Sequence, residues 1–227
     1  MLLFRARHLS TVGIITFVSL GSFITALDQT VVVTALPMMM VDLGVSVNQI
    51  DRASWIIISY LLGYTVVMPL VGRMSDVYGH VRVYRAALII FAIGSVLVAL
   101  SVTLDWIVAA RVIQAVGGGA TVPVGMAIAT LALPARFRGL SLGIVGGAAE
   151  AGSMLGPVYG AAILEVSDWR WIFWLNVPQA LILLVLSIFL PKFASDSGRV
   201  DYLGATLAVA VLTLLTLGLS QKGLFSG

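Results

Sequence analysis

Seven stretches of mainly apolar residues, each long enough to cross a lipid bilayer, dominate this chain of 227 residues. A hydrocarbon core of about 30 Å requires about 20 such residues in a helix. The stretches occupy 9–40, 53–72, 86–104, 106–133, 140–165, 171–190 and 202–220. Helices are predicted rather than barrel strands, because the apolar residues are continuous and do not alternate. Only 10% of the residues are charged, against about 25% in a soluble domain, so the sequence predicts an all-α membrane protein.

Basic residues are distributed unevenly between the two ends of these spans. The side that holds the N-terminus carries nine Lys and Arg residues: Arg5, Arg7, Arg73, Arg82, Arg85, Arg136, Arg138, Lys192 and Arg199. The opposite side carries three, Arg52, Arg170 and Lys222. Because cytoplasmic loops hold the excess of Lys and Arg, we expect an inner (cytoplasmic) membrane protein with its N-terminus in the cytoplasm and its C-terminus outside. The net charge of +3 is then a topology signal, and the expected partner is the lipid bilayer rather than nucleic acid.

Several classes of chemistry are excluded by residue types that are rare or missing. The chain has no Cys, which excludes disulfides, thiolate metal sites and cysteine nucleophiles. Neither His8 nor His80 lies mid-span, and two His residues cannot form a multi-histidine metal centre. A retinal protein needs a lysine inside its last helix, whereas Lys192 and Lys222 lie at span ends. No His-Glu-x-x-His stretch occurs, so we expect neither an enzyme nor a protein that needs a cofactor or a metal ion.

Three ionisable residues lie well inside the predicted spans: Asp28, Arg111 and Glu150. A charge at the centre of a membrane helix costs about 2.5–3.5 kcal/mol or more, so each is a candidate functional residue. At ~1.5 Å per residue, Arg111 lies roughly 9 Å inside the outer end of its span, at a level that Asp28 can share, with Glu150 somewhat deeper. A carboxylate that alternates between an arginine partner and water is a workable proton switch. A purely structural role, in which Arg111 neutralises a carboxylate and fixes helix packing, is the alternative.

Mostly small or polar residues share a helix face with each of these three residues, which predicts that all three faces point into the bundle. They are Gly21, Thr25, Val32 and Ala35 beside Asp28, Gln114, Ala115 and Gly118 beside Arg111, and Gly146, Gly147, Met154 and Pro157 beside Glu150. A second pattern on the fifth span, Gly152, Gly156 and Gly160, repeats every four residues. That repeat is typical of close helix packing in membranes.

The densest cluster of charges lies between the second and third spans, in the predicted cytoplasmic loop 72–85. Asp76 stands at the end of the second span between Gly72 and Gly79, and Arg82 follows. Glycine permits a tight turn and close helix contact, and the carboxylate can pair with a nearby arginine or helix end. The cluster is therefore predicted to act as a latch that holds the cytoplasmic side closed. A plain basic anchor at the membrane surface is the simpler interpretation.

Four segments, in order and at matching spacing, resemble motifs of the major facilitator superfamily, specifically of its 14-span drug:proton antiporter group. They lie at 27–37, 72–84, 111–119 and 152–160. Glu150 just before the glycine repeat, and the runs 55–64 and 168–178, are similar to the mycobacterial lipid-exporting members, which move triacylglycerol. The second segment departs from the family pattern, because Val77 replaces an Arg and His80 and Val81 replace two basic residues.

The resemblance implies a transporter with two six-helix halves around a midplane site, each half containing two inverted three-helix repeats. Residues 1–190 then form the N-terminal half, 191–201 a short cytoplasmic link and 202–220 a seventh transmembrane helix. The second half is absent, so we expect either a fragment of a chain about twice as long or a split protein, in which a C-terminal half or a second subunit is the partner that supplies the rest.

The implied function is proton-coupled export of hydrophobic or amphipathic compounds, such as lipids or drugs, by alternating access. The proton gradient supplies the energy, and no cofactor is expected. The implied proton-coupling residues are Asp28, Arg111 and Glu150, and the implied gate and packing residues are Gly72, Asp76, Gly79, Arg82, Gly152, Gly156, Pro157 and Gly160. A non-transporting structural or regulatory subunit is the alternative. Sugar uptake is disfavoured, because a sugar site needs several Asn, Gln and Trp side chains facing a cavity.

Overall fold

Six long α-helices form most of what the computed structural model of the chain describes, namely residues 9–191, residue 193 and six separate positions between 204 and 218. The helices are α1 (Thr11–Asp42), α2 (Ile50–Tyr78), α3 (His80–Ala99), α4 (Leu104–Ala132), α5 (Arg138–Val166) and α6 (Arg170–Leu186). Side-chain caps begin two of them: Ser10 accepts from the backbone N–H of Gly13, and Thr103 accepts from that of Trp106. No strand occurs in these described ranges, so the all-α prediction is confirmed.

Five of the six helices are long and apolar enough to cross a membrane, judged by length and composition. They are α1 to α4, and α6 together with its 3-10 extension to Phe189. Helix α5 has 29 residues but is not among them, because its many glycines and Glu150 dilute its apolar content. Its place in the bundle comes instead from packing on α1, which is the most extensive helix contact among the described residues.

The predicted end of the second span and both predicted ends of the third are wrong. The segment 72–85 is not a loop: α2 continues to Tyr78, α3 begins at His80, and Gly79 alone makes the turn. Gly79 has φ +94°, a conformation that glycine adopts without the steric cost of a Cβ. Gly72 therefore lies within α2, because charged and polar residues can continue a helix past its apolar part. The third span, expected to reach 104, ends at Ala99, since residues 100–103 form the turn into α4.

The helix pairs show an internal symmetry. Helix α1 packs most extensively on α5, and α4 packs extensively on α2. If α1, α2 and α3 are exchanged with α4, α5 and α6 respectively, the α1–α5 pair becomes the α4–α2 pair. The same exchange leaves the contact between α3 and α6 unchanged. This is the pattern expected of two three-helix repeats.

Apolar residues form two main cores, one around Phe17, Tyr84 and Ile128 and the other around Val31, Ile107 and Trp169.

Arg170 joins three turns at the end of the bundle where α1 ends and α6 begins. Its Nη1 lies 2.8 Å from Asp42 Oδ2 and 3.1 Å from Asp168 Oδ2. Its Nη2 donates to the backbone carbonyl of Ser101 at 3.3 Å, and its guanidinium lies 4.3 Å over the ring of Trp169. The turns that follow α1, α3 and α5 are thus held together by one side chain.

The predicted seventh helix, 202–220, lies outside the described residues except for six positions, which are helical. The predicted link 191–201 also lies outside them, apart from residues 191 and 193.

Candidate functional site

A buried ion pair between α1 and α4 forms the centre of the candidate site. Arg111 Nη1 donates to Asp28 Oδ2 at 2.8 Å, and both side chains are 0% exposed. Two opposite charges removed from water need each other and further hydrogen bonds, because a buried charge left alone is costly. The structure thus brings together two of the three ionisable residues that the sequence places inside the spans.

Two amides complete the hydrogen bonding of the Asp28 carboxylate. Gln114, one turn along α4 from Arg111, donates through Nε2 to Asp28 Oδ1 at 3.0 Å and to Ser95 Oγ of α3 at 2.8 Å. Its Oε1 accepts from Arg111 Nη1 at 2.7 Å. Asn176 of α6 donates through Nδ2 to the same Asp28 oxygen. Three helices, α1, α4 and α6, therefore meet at one carboxylate, which accepts three N–H groups, and Gln114 links it to α3.

Aromatic rings surround the arginine on its other sides. The Arg111 guanidinium carbon lies 4.0 Å from the ring centroid of Tyr60 and 5.7 Å from that of Phe173. Its Nε and Nη2 find no hydrogen-bond acceptor among the described residues. Ring faces attract a cation most strongly where water is excluded, so the rings stabilise the guanidinium at a place where hydrogen bonds do not.

Glycines allow the helices to come this close. A Cβ on Gly94 of α3 would meet the backbone of Gln114, and a Cβ on Gly118 of α4 would meet the Tyr60 hydroxyl. On either side of Gly118, Gly117 faces the backbone of Phe91 and Gly119 that of Tyr64. Small residues at such positions are what permits backbone-to-backbone packing in membranes.

Glu150 lies apart from the ion pair, and its predicted inward orientation is wrong within this half. Its side chain is exposed and lines a cleft of about 360 Å³ with Gln29 of α1 and Tyr64 of α2. The reason is the register of α5: Gly152, Gly156 and Gly160 form the face that packs on α1, which turns Glu150 toward the surface. Tyr64 stacks on Tyr60 with ring centroids 6.1 Å apart, so the cleft borders the arginine site through two rings.

The α1–α5 contact is built on the glycine repeat and on a proline. A Cβ at Gly152 or Gly156 would meet the backbone of α1, at Phe23 and Leu27 respectively. Pro157 lacks an N–H, which leaves the Ser153 carbonyl one turn earlier without its helical donor. Thr30 Oγ1 of α1 donates to that carbonyl at 2.8 Å. The glycines give close approach, and the threonine supplies the hydrogen bond that the proline removes.

The residues predicted as a cytoplasmic gate make local contacts. Asp76 lies 3.8 Å from Arg73 Nη1 and 4.0 Å from His80 Nε2, and His80 Nδ1 lies 3.0 Å from Ser75 Oγ. Arg82 Nη1 donates to the carbonyl of Tyr78 at 3.0 Å. The cluster therefore braces the turn at Gly79. Its role as a gate stays a prediction.

Sequence reasoning missed Asn176 as part of the site. The chain has two Asn residues, Asn48 and Asn176, and only the second lies within a predicted span. A lone amide in hydrocarbon is a signal that could have found it, since membrane interiors disfavour polar groups without partners. Tyr60 and Ser95 carried no comparable signal, because aromatic and small hydroxyl residues are common in membrane helices.

Several curated relatives of the chain are mycobacterial transporters. A triacylglyceride transporter of Mycolicibacterium hassiacum is 42% identical over 221 residues, which cover 96% of this chain and 41% of that protein. One of Mycobacterium tuberculosis is 40% identical over 208 residues, covering 88% of this chain and 40% of that protein. The chain thus spans about two fifths of the length of the curated relatives it matches.

Solved structures with a similar fold are also transporters. The proton:xylose symporter XylE bound to 6-bromo-6-deoxy-D-glucose superposes with a TM-score of 0.71 at 20% identity, covering 93% of this chain and 52% of that one. A human organic anion transporter gives 0.66 at 21% identity, covering 89% and 54%. At these identities the likeness concerns the fold. The sequence profile of the Major Facilitator Superfamily matches residues 18–221. This chain therefore belongs to the Major Facilitator Superfamily and is a multi-pass membrane protein.

Proposed function

We propose that this chain is the N-terminal half of a proton-coupled exporter of hydrophobic or amphipathic compounds, working by alternating access. A lipid-like substrate is favoured over a drug, because the similar mycobacterial proteins carry the name triacylglyceride transporter. The proton gradient drives export, and no cofactor takes part. The membrane is the inner one, with the N-terminus in the cytoplasm and the C-terminus of this chain outside.

The buried ion pair of Asp28 and Arg111 is the observation that carries the proposal. While Asp28 is ionised, its charge cancels that of Arg111 and its oxygens bind donors from α4 and α6. Once Asp28 takes up a proton, the carboxyl is neutral and the arginine has lost its counter-charge. The two states favour different arrangements of α1 against α4, which is what a proton-driven change of access requires.

Glu150 supplies the second acidic group, at the cleft rather than at the ion pair. Its exposed carboxyl faces Gln29 and Tyr64, a position from which it can exchange protons with water or meet a substrate. The glycine face of α5 carries the motion, because α1 and α5 are packed too closely to move independently. The turn cluster at Asp76 gates the cytoplasmic side.

A partner half completes the pathway in this proposal. The chain spans about two fifths of its curated relatives, and one six-helix bundle provides only one wall of a central site. The same difference in length motivates a second candidate function: a structural or regulatory subunit that binds another half without moving a substrate.

Reconstitution tests the proposal. The chain is placed in liposomes with the separately expressed C-terminal half of the Mycolicibacterium hassiacum relative, and a pH gradient is imposed. Transfer of a fluorescent triacylglycerol analogue and proton flux are followed together. We expect transfer that depends on the gradient and is abolished by Asp28→Asn and by Glu150→Gln.

Asp105→Asn is the matched control. Asp105 is 89% exposed and forms a surface pair with Arg52 at 3.6 Å, so the variant should transport like the wild type. Unchanged transport in both Asp28→Asn and Glu150→Gln contradicts the coupling assignment. Binding of the two halves without any flux favours the structural subunit.

A further inference from the structure

We propose that the side-chain amide of Asn176 changes its hydrogen-bonding role with the protonation state of Asp28. It donates a hydrogen bond to the ionised carboxylate, and after proton uptake it rotates and accepts a hydrogen bond from the neutral carboxyl. Asn176 is thus a positioning residue that couples α6 to the proton site. This inference rests on the proposed function for its biological meaning, but its chemistry concerns the chain alone.

Within the described part of the chain, every side chain that hydrogen-bonds to the Asp28 carboxylate does so as a donor. Arg111 donates to Oδ2, and Gln114 and Asn176 donate to Oδ1. A proton added to either oxygen creates an O–H that faces N–H groups. The neutral carboxyl therefore needs a new acceptor, because a buried hydroxyl without one is costly.

Gln114 cannot supply that acceptor. Its Oε1 already accepts from Arg111 at 2.7 Å, while its Nε2 donates to Ser95 Oγ at 2.8 Å. Turning the Gln114 amide would break both bonds and place its NH₂ group against the guanidinium. Arg111 has only donors. Two of the three partners are therefore fixed as donors.

Asn176 is free of such constraints. It is 1% exposed, and its one side-chain hydrogen bond within the described part of the chain is the bond to Asp28. A half-turn of its amide exchanges Nδ2 for Oδ1 at nearly the same place, since the two ends of an amide have almost the same shape. The proton taken up by Asp28 Oδ1 then points at Asn176 Oδ1, and one hydrogen bond replaces another.

No second strong charge competes for this proton among the described residues. Titratable or polar groups near this site come from each neighbouring helix: Tyr60 of α2, Ser95 of α3, Arg111 and Gln114 of α4, Asn176 of α6 and, through an electrostatic interaction with Asp28, Tyr159 of α5. Of these, Arg111 alone is charged at neutral pH. A pH-dependent change in the hydrogen bonding of the Asn176 amide therefore reports the protonation of Asp28.

The small number of asparagines makes the amide directly observable. The chain is produced with isotope-labelled asparagine, which marks Asn48 and Asn176 only, and infrared difference spectra are recorded in lipid as the pH is changed. The protonated Asp28 carboxyl band, identified as the one lost in Asp28→Ser, and the labelled amide band are followed together. We expect both bands to change with the same midpoint.

Two variants sharpen the assignment. In Asn176→Ser the labelled amide change should vanish, whereas in Asn48→Ser, which alters an exposed residue, it should persist. Asn176→Leu removes the amide hydrogen bond from both forms of Asp28. Because the bond to the charged carboxylate is the stronger of the two, Asp28 should still take up its proton at a higher pH, by up to about one pH unit. Leu181→Ala, at an exposed position of the same helix, should leave the midpoint unchanged.

The inference is overturned if the labelled band stays constant while Asp28 titrates, if Asp28 does not titrate while the protein is folded, or if Asn176→Leu leaves the midpoint in place. These spectra involve no transport. If the two bands co-titrate but the chain supports no flux when reconstituted with the C-terminal half, the inference stands and the proposed function fails. Flux without co-titration would support the proposed function and overturn the inference.

Discussion

Replacing Thr30 by Val tests how α1 compensates for the proline in α5. Pro157 has no N–H, so the Ser153 carbonyl lacks its intrahelical donor, and Thr30 Oγ1 donates to it at 2.8 Å. Valine has nearly the same shape as threonine and no hydroxyl. The variant therefore leaves the carbonyl without a donor while the contact between the helices keeps its packing.

The expected loss of stability is about 1 kcal/mol. A buried polar group left unpaired costs roughly 1–3 kcal/mol, while side-chain hydrogen bonds in a membrane bundle average about 0.6 and reach about 1.7 kcal/mol. Thr30 is half-buried, which favours the lower part of the first range.

Thr34→Val is the matched control. Thr34 lies one turn further along α1 and donates to the Pro157 carbonyl at 3.3 Å. That carbonyl is in position to receive the helical N–H of Ala161, four residues later. Its second hydrogen bond is surplus, so the cost should fall below about 0.5 kcal/mol.

Reversible unfolding in mixed micelles, with denaturing detergent as the titrant, measures the free energies. The decisive measurement is Thr30→Val in the Pro157→Ala background, where the alanine N–H restores the helical bond to Ser153. The cost of Thr30→Val should then be close to zero. An equal cost in both backgrounds would refute the reasoning, because the threonine would be stabilising something other than the carbonyl freed by the proline.

Three further predictions concern packing, ion pairing and assembly. Gly117→Ala should destabilise the bundle, because the added Cβ would meet the backbone of Phe91. Gly147→Ala should be neutral or stabilising, because the space around Gly147 is open and alanine favours a helix. Thermal unfolding of both variants checks the difference. Arg170→Gln should lower stability by no more than about 1 kcal/mol, and by less at high salt, because the lost ion pairs are partly exposed; unfolding at two salt concentrations checks this. Extracted in mild detergent from its native membrane, the chain should have a protein mass at least twice its own 24.0 kDa. A lone 24.0 kDa species would count against the partner half.

The ion pair was within reach of sequence reasoning, because helix rise relates position to depth. Counting residues from Asp105 placed Arg111 at a level that Asp28 could share, and their 2.8 Å contact agrees with that placement. The direction in which Glu150 points was not within reach. Small residues occupy several faces of α5, so the pattern could not tell which face packs on α1.

The turn at Gly79 shows a different limit. Charged residues on both sides of it suggested a loop, but composition marks where the apolar region ends and not where a helix ends. Both helices continue past that limit, and one residue, Gly79 with its positive φ, separates them. The orientation of Asn176 depends on how α6 packs near α1, which is a tertiary property that no local pattern encodes.

The three consecutive glycines of α4 have a mechanical consequence. Gly117 lies against the backbone of α3, Gly119 against that of α2, and Gly118 between them lies against the Tyr60 hydroxyl. Because no side chains separate these backbones, rotation of α4 about its own axis would bring its backbone into steric clash with α2 or α3. We therefore expect a displacement that begins at Arg111, nearly two turns earlier, to move α2, α3 and α4 together as one rigid unit rather than to rotate α4 alone.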